Sequence, residues 1–159
     1  MPSPDEACVC PALDSALWEG TRHAWKDRPF WVEPYRAIAH VPLGIGRKLE
    51  RLLPDLKARG LLAEPVQVLF RNDRFFGGEL WIALSREEPG TAAGRISGEF
   101  FSKYFEGHYR DAGGWYRKTA EACRAAGSEP KEILAWYATC PKCAASRGAV
   151  QAVLFARTG

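Results

Sequence analysis

"RISGEFFSKYFEG" (residues 95–107) followed by "DAGGWYRKTAEACRAAG" (residues 111–127) decides how this chain is read. The first stretch is rich in aromatic residues and reads as a strand, with Gly98 as a bulge. The second places Tyr116, Ala120 and Cys123 on one helical stripe, with Trp115, Thr119 and Ala122 beside it, and stops at Gly127. "EILAWYAT" (132–139) and "AVQAVLFAR" (149–157) then read as two further strands. The order is strand, helix, strand, strand.

Working back toward the start, the same order recurs. "YRAIAHVPL" (35–43) reads as a strand. "GIGRKLERLLPDLKARG" (44–60) puts Ile45, Leu49, Leu52, Leu53 and Leu56 on one helical face, with Pro54 expected to kink or split it. "PVQVLFR" (65–71) and "GELWIALS" (78–85) read as strands, with "NDRFFGG" as the hairpin loop between them. The two stretches 35–87 and 95–158 therefore predict an internal duplication of strand–helix–strand–strand units, an α+β fold, joined by the turn-rich "EEPGTAAG". Residues 1–34 show no clean period and read as an irregular, Trp-rich arm ahead of a single domain over 35–159.

With 159 residues, 47% hydrophobic and 26% charged, the chain is of single-domain size and ordinary globular composition. A net charge of +3, with Lys and Arg scattered, carries no basic stripe of the kind that tracks nucleic acid. The start lacks the basic and apolar regions of a signal peptide, and no apolar run approaches the ~20 residues that span a bilayer. The expectations are a cytoplasmic protein with a small-molecule partner and neither nucleic acid nor membrane as partner.

Five cysteines sharpen the reading: Cys8, Cys10, Cys123, Cys140 and Cys143. Cys123 falls in the helical pattern, as a small apolar residue would. The other four form two close pairs, Cys8-Val9-Cys10 and Cys140-Pro141-Lys142-Cys143. Four thiolates in non-periodic segments fit a tetrahedral structural zinc site, and Pro141 eases the tight turn of the second pair. A redox dithiol at Cys140 and Cys143, or incidental loop thiols, are the competing readings. Zinc at Cys8, Cys10, Cys140 and Cys143 would staple the arm to the body and make Trp31, with Trp18 and Trp25, a wall of a binding cleft.

"YFEGHYRDAGGWYRKTAEACRAAG" carries a resemblance. Its strand, then Gly107-His108-Tyr109, then an amphipathic helix bearing Tyr116, is similar to the GyrI-like (gyrase-inhibitor-like) small-molecule-binding family. That family includes effector-binding domains of bacterial transcription regulators. The resemblance covers roughly residues 33–158. It implies antiparallel sheet halves with helices on one side, and a ligand cleft between the halves lined by aromatics and an acidic residue. The family often has a Glu early in its last strand; Gln151 stands there instead, and Glu79 is the carboxylate of the corresponding strand in the first half.

Glu79 and Trp81 lie two apart on one strand and so face the same side. Trp136 and Tyr137 face opposite sides, and Tyr104, Tyr109 and Trp115 flank the start of the second helix. The predicted ligand set is Trp81, Tyr104, Tyr109, Trp115, Trp136, Trp31 and Gln151, around an aromatic or cationic molecule. The leading expectation is a stand-alone binding protein. The alternatives are a hydrolase on the same scaffold, with Glu79 as the catalytic carboxylate, and a metal- or thiol-responsive protein. For the hydrolase, the resemblance implies a strained electrophilic natural product as substrate. His23, His40 and His108 read as ordinary surface residues, and no phosphate loop, dinucleotide fingerprint or Gly-x-Ser-x-Gly elbow is present.

Overall fold

The computed structural model describes residues 10, 12–39, 41–87, 90 and 93–159. Both expected helices form where the apolar periodicity puts them. They are α1 (Ile45–Ala58) and α2 (Ala112–Ala125). The strands β1 (Thr21–Ile38), β2 (Val41–Leu43), β3 (Val68–Arg74), β4 (Gly77–Ala83), β5 (Ala93–Gly107), β6 (Glu132–Tyr137) and β7 (Val150–Arg157) complete the frame, with a short helix α3 (Pro141–Arg147).

The duplication is not there. From β1 to β4 the order is strand, strand, helix, strand, strand. From β5 to β7 it is strand, helix, strand, helix, strand. The chain forms two compact units, one of Met1–Trp25 with Gly98–Gly159, the other of Lys26–Ser97. β1 and β5 each contribute residues to both units, so neither unit corresponds to one of the expected repeats. The two-halves architecture with helices on one side, expected from the order of elements and from the resemblance, is corrected by these two long strands. The stretch read as an irregular arm before residue 35 is, from Thr21 onward, β1; among the described residues a 3-10 turn at Ser15–Leu17 precedes it, where a short helical turn near Ser15 to Glu19 was expected.

In the Lys26–Ser97 unit, β1 pairs with β2 and β4, and β4 pairs with β3, all antiparallel. Trp31, Tyr35 and Ala37 of β1, Leu80 and Ile82 of β4, and Val68 and Phe70 of β3 turn one face toward α1. There they meet Ile45, Leu49, Leu52, Leu53 and Leu56, the stripe read from the sequence. Fully burying a side chain such as Leu56, Leu80 or Ile82 contributes roughly 1.5–3 kcal/mol. Pro54 lies inside α1, which continues to Ala58 as one helix. The opposite face of these strands carries Phe30 on β1, Glu79 and Trp81 on β4, and Leu69 and Arg71 on β3.

In the other unit, β7 is flanked by β5 and β6, again antiparallel. One face is covered by α2, with Trp115 stacked on Phe105 at 5.4 Å between ring centroids. Cys123 packs there with Phe101 and Ala156. The other face is a cluster of rings. Trp18 meets Trp136 and Phe155 edge-on, at 5.4 and 5.9 Å, and Trp25 lies 4.4 Å from Phe100. The N-terminal aromatics thus pay for their burial by packing, as their number demands.

Candidate functional site

The segment around Cys140 is built as a helix start, not as the non-periodic segment expected from sequence. Cys140 has extended backbone and caps α3, Pro141 opens the helix, and Gly148 closes it at φ 83°. Proline is well suited to a first helical position, where its missing N–H costs nothing. Cys143 falls in the first turn, so its sulfur and that of Cys140 sit at the same helix end. The chain before β1 brings Cys10 to them. The three sulfurs lie within 4.8 Å of one another, with Cys143 buried and the other two half-buried. Cys8, the fourth expected ligand, lies outside the described residues, as does His40.

Backbone donors point at these sulfurs. The Cys140 N–H donates to Cys10 Sγ at 3.3 Å, and the Cys143 N–H donates to Cys140 Sγ at 3.4 Å. Such donors favour the thiolate, the form that binds a metal. Arg147 holds the Cys10 carbonyl at 3.1 Å. Further along, Gln151 clasps both backbone groups of Leu13, accepting from its N–H at 3.0 Å and donating to its carbonyl at 3.4 Å. The N-terminal segment is therefore fastened at Cys10 and again at Leu13. Tyr109 stands beside the thiols, its hydroxyl donating to the Thr139 carbonyl. Burial first, then the negative charge of Cys140 and Cys10, pushes that phenol up to about 12. Three convergent sulfurs, one buried, with N–H donors on two of them, suit a soft tetrahedral ion such as zinc. Cys123 is elsewhere, fully buried under α2, where burial pushes its thiol pKa up.

A second constellation lies in the Lys26–Ser97 unit. The β3–β4 register sets Arg71 directly opposite Glu79. The guanidinium is 3.9 Å from the carboxylate and 4.7 Å over the ring of Trp81. The Trp81 indole N–H donates to Glu79 at 3.4 Å. Glu79 is neither solvated nor sealed, with 28% of its side chain exposed. Sequence reasoning found Glu79 and Trp81 but missed Arg71, whose signal is its cross-strand position once the turn at Phe75 and Phe76 fixes the register.

The remaining members of the expected set are dispersed. Trp31 is on the α1 face, opposite to that of Glu79 and Trp81. There the Arg59 guanidinium lies 5.6 Å over its ring, and its indole N–H is buried with no hydrogen-bond partner among the described residues. Tyr104 and Gln151 are hydrogen-bonded to each other at 2.9 Å, and the Tyr104 hydroxyl also donates to Glu106 at 3.3 Å. Trp136 is fully buried against Trp18, and Trp115 is buried on the α2 side, away from it. An open depression of about 450 Å³ is bordered by Pro29, Phe30, Leu84, Gly94 and the paired Glu87 and Arg95.

His23 and Ser102 form a close pair, Nε2 to Oγ at 2.7 Å. The Ser102 hydroxyl also lies 2.7 Å from the Trp18 carbonyl and 3.2 Å from that of Thr21. One hydroxyl carries one proton, and carbonyls can only accept, so the assignment that satisfies every contact has Ser102 donating to the carbonyls and His23 Nε2–H donating to Ser102. A histidine that donates to a serine cannot take its proton. The pair, with Ser102 fully buried, ties β1 to β5 rather than forming a nucleophile.

No curated protein matches the chain. A family described as "Bacterial hydrolase" matches residues 2–158. That match overturns the GyrI-like resemblance and the effector-binding identity drawn from it. The stand-alone ligand-binding function falls with it, and hydrolysis is the reaction class supported for this chain if it is an enzyme. Among the described residues no helix is long and apolar enough to cross a membrane. Its family spans nearly the whole sequence, and the chain belongs to the bacterial hydrolase family.

Proposed function

We propose that the chain hydrolyses a small-molecule substrate at Glu79 and carries a structural zinc ion on Cys10, Cys140 and Cys143, with Cys8 as the fourth ligand. The observation that supports the catalytic half is the half-buried Glu79 carboxylate held between the Arg71 guanidinium and the Trp81 indole N–H. A carboxylate so placed accepts a proton from an attacking water. Arg71 carries the positive charge needed to stabilise an oxyanion as it forms, and Trp81 offers a flat apolar wall.

Zinc bound by four thiolates has no open position, so its contribution is to folding of the N-terminal segment. The convergence of three sulfurs within 4.8 Å supports this part of the reading.

The test is hydrolysis of a panel of activated esters and epoxides by the wild type, Glu79→Gln and Cys143→Ser. Glu79→Gln should lower kcat by about 10²–10⁴-fold with an unchanged melting temperature. Cys143→Ser should lower the melting temperature and leave kcat per folded molecule within a few-fold. Full activity in Glu79→Gln overturns the role of Glu79. Loss of kcat in a folded Cys143→Ser protein would make the ion, not the carboxylate, the reacting centre.

A further inference from the structure

The turn between β3 and β4 breaks the usual chemistry of its kind. Arg74 pairs with Gly77, so Phe75 and Phe76 are the two central residues of a two-residue hairpin turn. Such turns favour Asn-Gly and related pairs, which are polar and reach positive φ cheaply. Here neither central residue has positive φ, and the ladder takes a register shift between Arg71 and Arg74 instead. The two rings touch edge-on at 4.7 Å, yet Phe75 is 51% and Phe76 71% exposed. Local rules give no reason to put two phenylalanines at the most projecting point of a hairpin, and such departures mark function.

The rings are not alone. The Phe76 carbonyl accepts from the Ala37 N–H at 2.9 Å, which brings the tip beside Ile38, itself 60% exposed. Leu43 on β2, 45% exposed, pairs with Arg36, and Arg36 in turn pairs with Gly77. Arg36 is exposed among these apolar side chains, and Arg47 is exposed in the first turn of α1 just beyond Leu43. No Asp or Glu occurs between Pro34 and Leu49. The surface is thus a small apolar knob with the exposed Arg36 and Arg47 beside it, and Asp73 stands two positions before Phe75 in the sequence.

We propose that this tip docks on an anionic lipid surface, with Phe75, Phe76, Ile38 and Leu43 entering the interface and Arg36 and Arg47 meeting lipid phosphates. Sequence reasoning expected no membrane partner because no segment is long enough to span a bilayer; interfacial docking needs no span. Two observations choose lipid over a second copy of the chain. The four side chains expose on the order of 400–500 Å², below the about 800 Å² per partner of a stable protein interface. The two exposed arginines beside the tip, Arg36 and Arg47, carry the same sign, which suits a surface of anionic headgroups.

The test is co-sedimentation of the full chain with vesicles of phosphatidylglycerol and phosphatidylcholine, beside vesicles of phosphatidylcholine alone. The wild type should sediment with the anionic vesicles, and less so at high salt. Phe75→Ser/Phe76→Ser should weaken that binding by roughly ten-fold or more, and Arg36→Gln/Arg47→Gln should remove its salt dependence. All of these residues are exposed, so the melting temperature should stay put. Wild type that stays in the supernatant overturns the proposal, as does a Phe75→Ser/Phe76→Ser protein that binds equally well. A wild-type dimer abolished by the same double variant would assign the patch to self-association and overturn it as well.

Discussion

The backbone N–H of Cys140 donates to the sulfur of Cys10, 130 positions earlier in the chain, at 3.3 Å. A sulfur that receives an N–H donor across so long a loop is placed by the fold rather than by its neighbours. The first expectation follows. Protein purified without chelator should contain one equivalent of zinc, and cobalt in its place should give the visible absorption of thiolate-bound cobalt. Cys10→Ser and Cys143→Ser should each lose the ion. Metal below about a tenth of an equivalent in the wild type would exclude the centre.

Trp18 reports on the same fastening. It follows Cys10 and Leu13 in the chain and packs against Trp136 and Phe155. Removing the metal should first loosen the segment before β1, flattening the near-ultraviolet dichroism of its tryptophan while far-ultraviolet helix signal persists. A simultaneous loss of both signals would mean that the ion supports the whole fold.

Gly78 is expected to tolerate no side chain. A Cβ there would stand 2.5 Å from the Arg71 carbonyl and also meet the Tyr35 ring and hydroxyl. Gly78→Ala should cost about 1–3 kcal/mol in urea denaturation. Because Arg71 and Glu79 flank the collision, it should also lower activity more than stability alone explains. Gly46→Ala, where nothing lies within 4 Å, is the control and should be neutral or stabilising.

Tyr137 provides a pH dependence. Burial raises its pKa above the usual phenol range, against a smaller opposing effect of its hydrogen bond with Tyr116. The folded state therefore favours the neutral phenol. The associated stability is complete below about pH 10, where the unfolded phenol titrates, and is lost as pH rises through the higher folded value. Melting temperature measured from pH 9 upward should fall less steeply in Tyr137→Phe than in the wild type. Parallel curves would remove Tyr137 as the cause.

How much of this was legible depended on periodicity. α1 and α2 show a clean apolar stripe, because each turns one face to a sheet and the other to water. β1 was read only from residue 35 because its alternation changes phase. Thr21, His23 and Trp25 turn inward, but after Asp27, at φ 47°, the buried residue is Phe30. Asp27 is held there by hydrogen bonds with Ser97, from its N–H and to its carboxylate. One left-handed residue is enough to hide an 18-residue strand. α3 was missed because its seven residues, Pro-Lys-Cys-Ala-Ala-Ser-Arg, carry no apolar stripe; only Cys140, Pro141 and Gly148, as cap, first position and stop, could have announced it. Glu79 and Trp81 were legible from strand spacing, whereas Arg71 required the register of the partner strand.

The direction of one hydrogen bond has a practical edge. With its proton committed to the Trp18 carbonyl and its oxygen fully buried, Ser102 offers nothing to electrophiles designed for serine hydrolases. Fluorophosphonate probes should pass this chain by, despite a His and a Ser 2.7 Å apart. Covalent ligand discovery would instead start from reagents that esterify a carboxylate, such as epoxides, with Glu79 as the residue to find labelled.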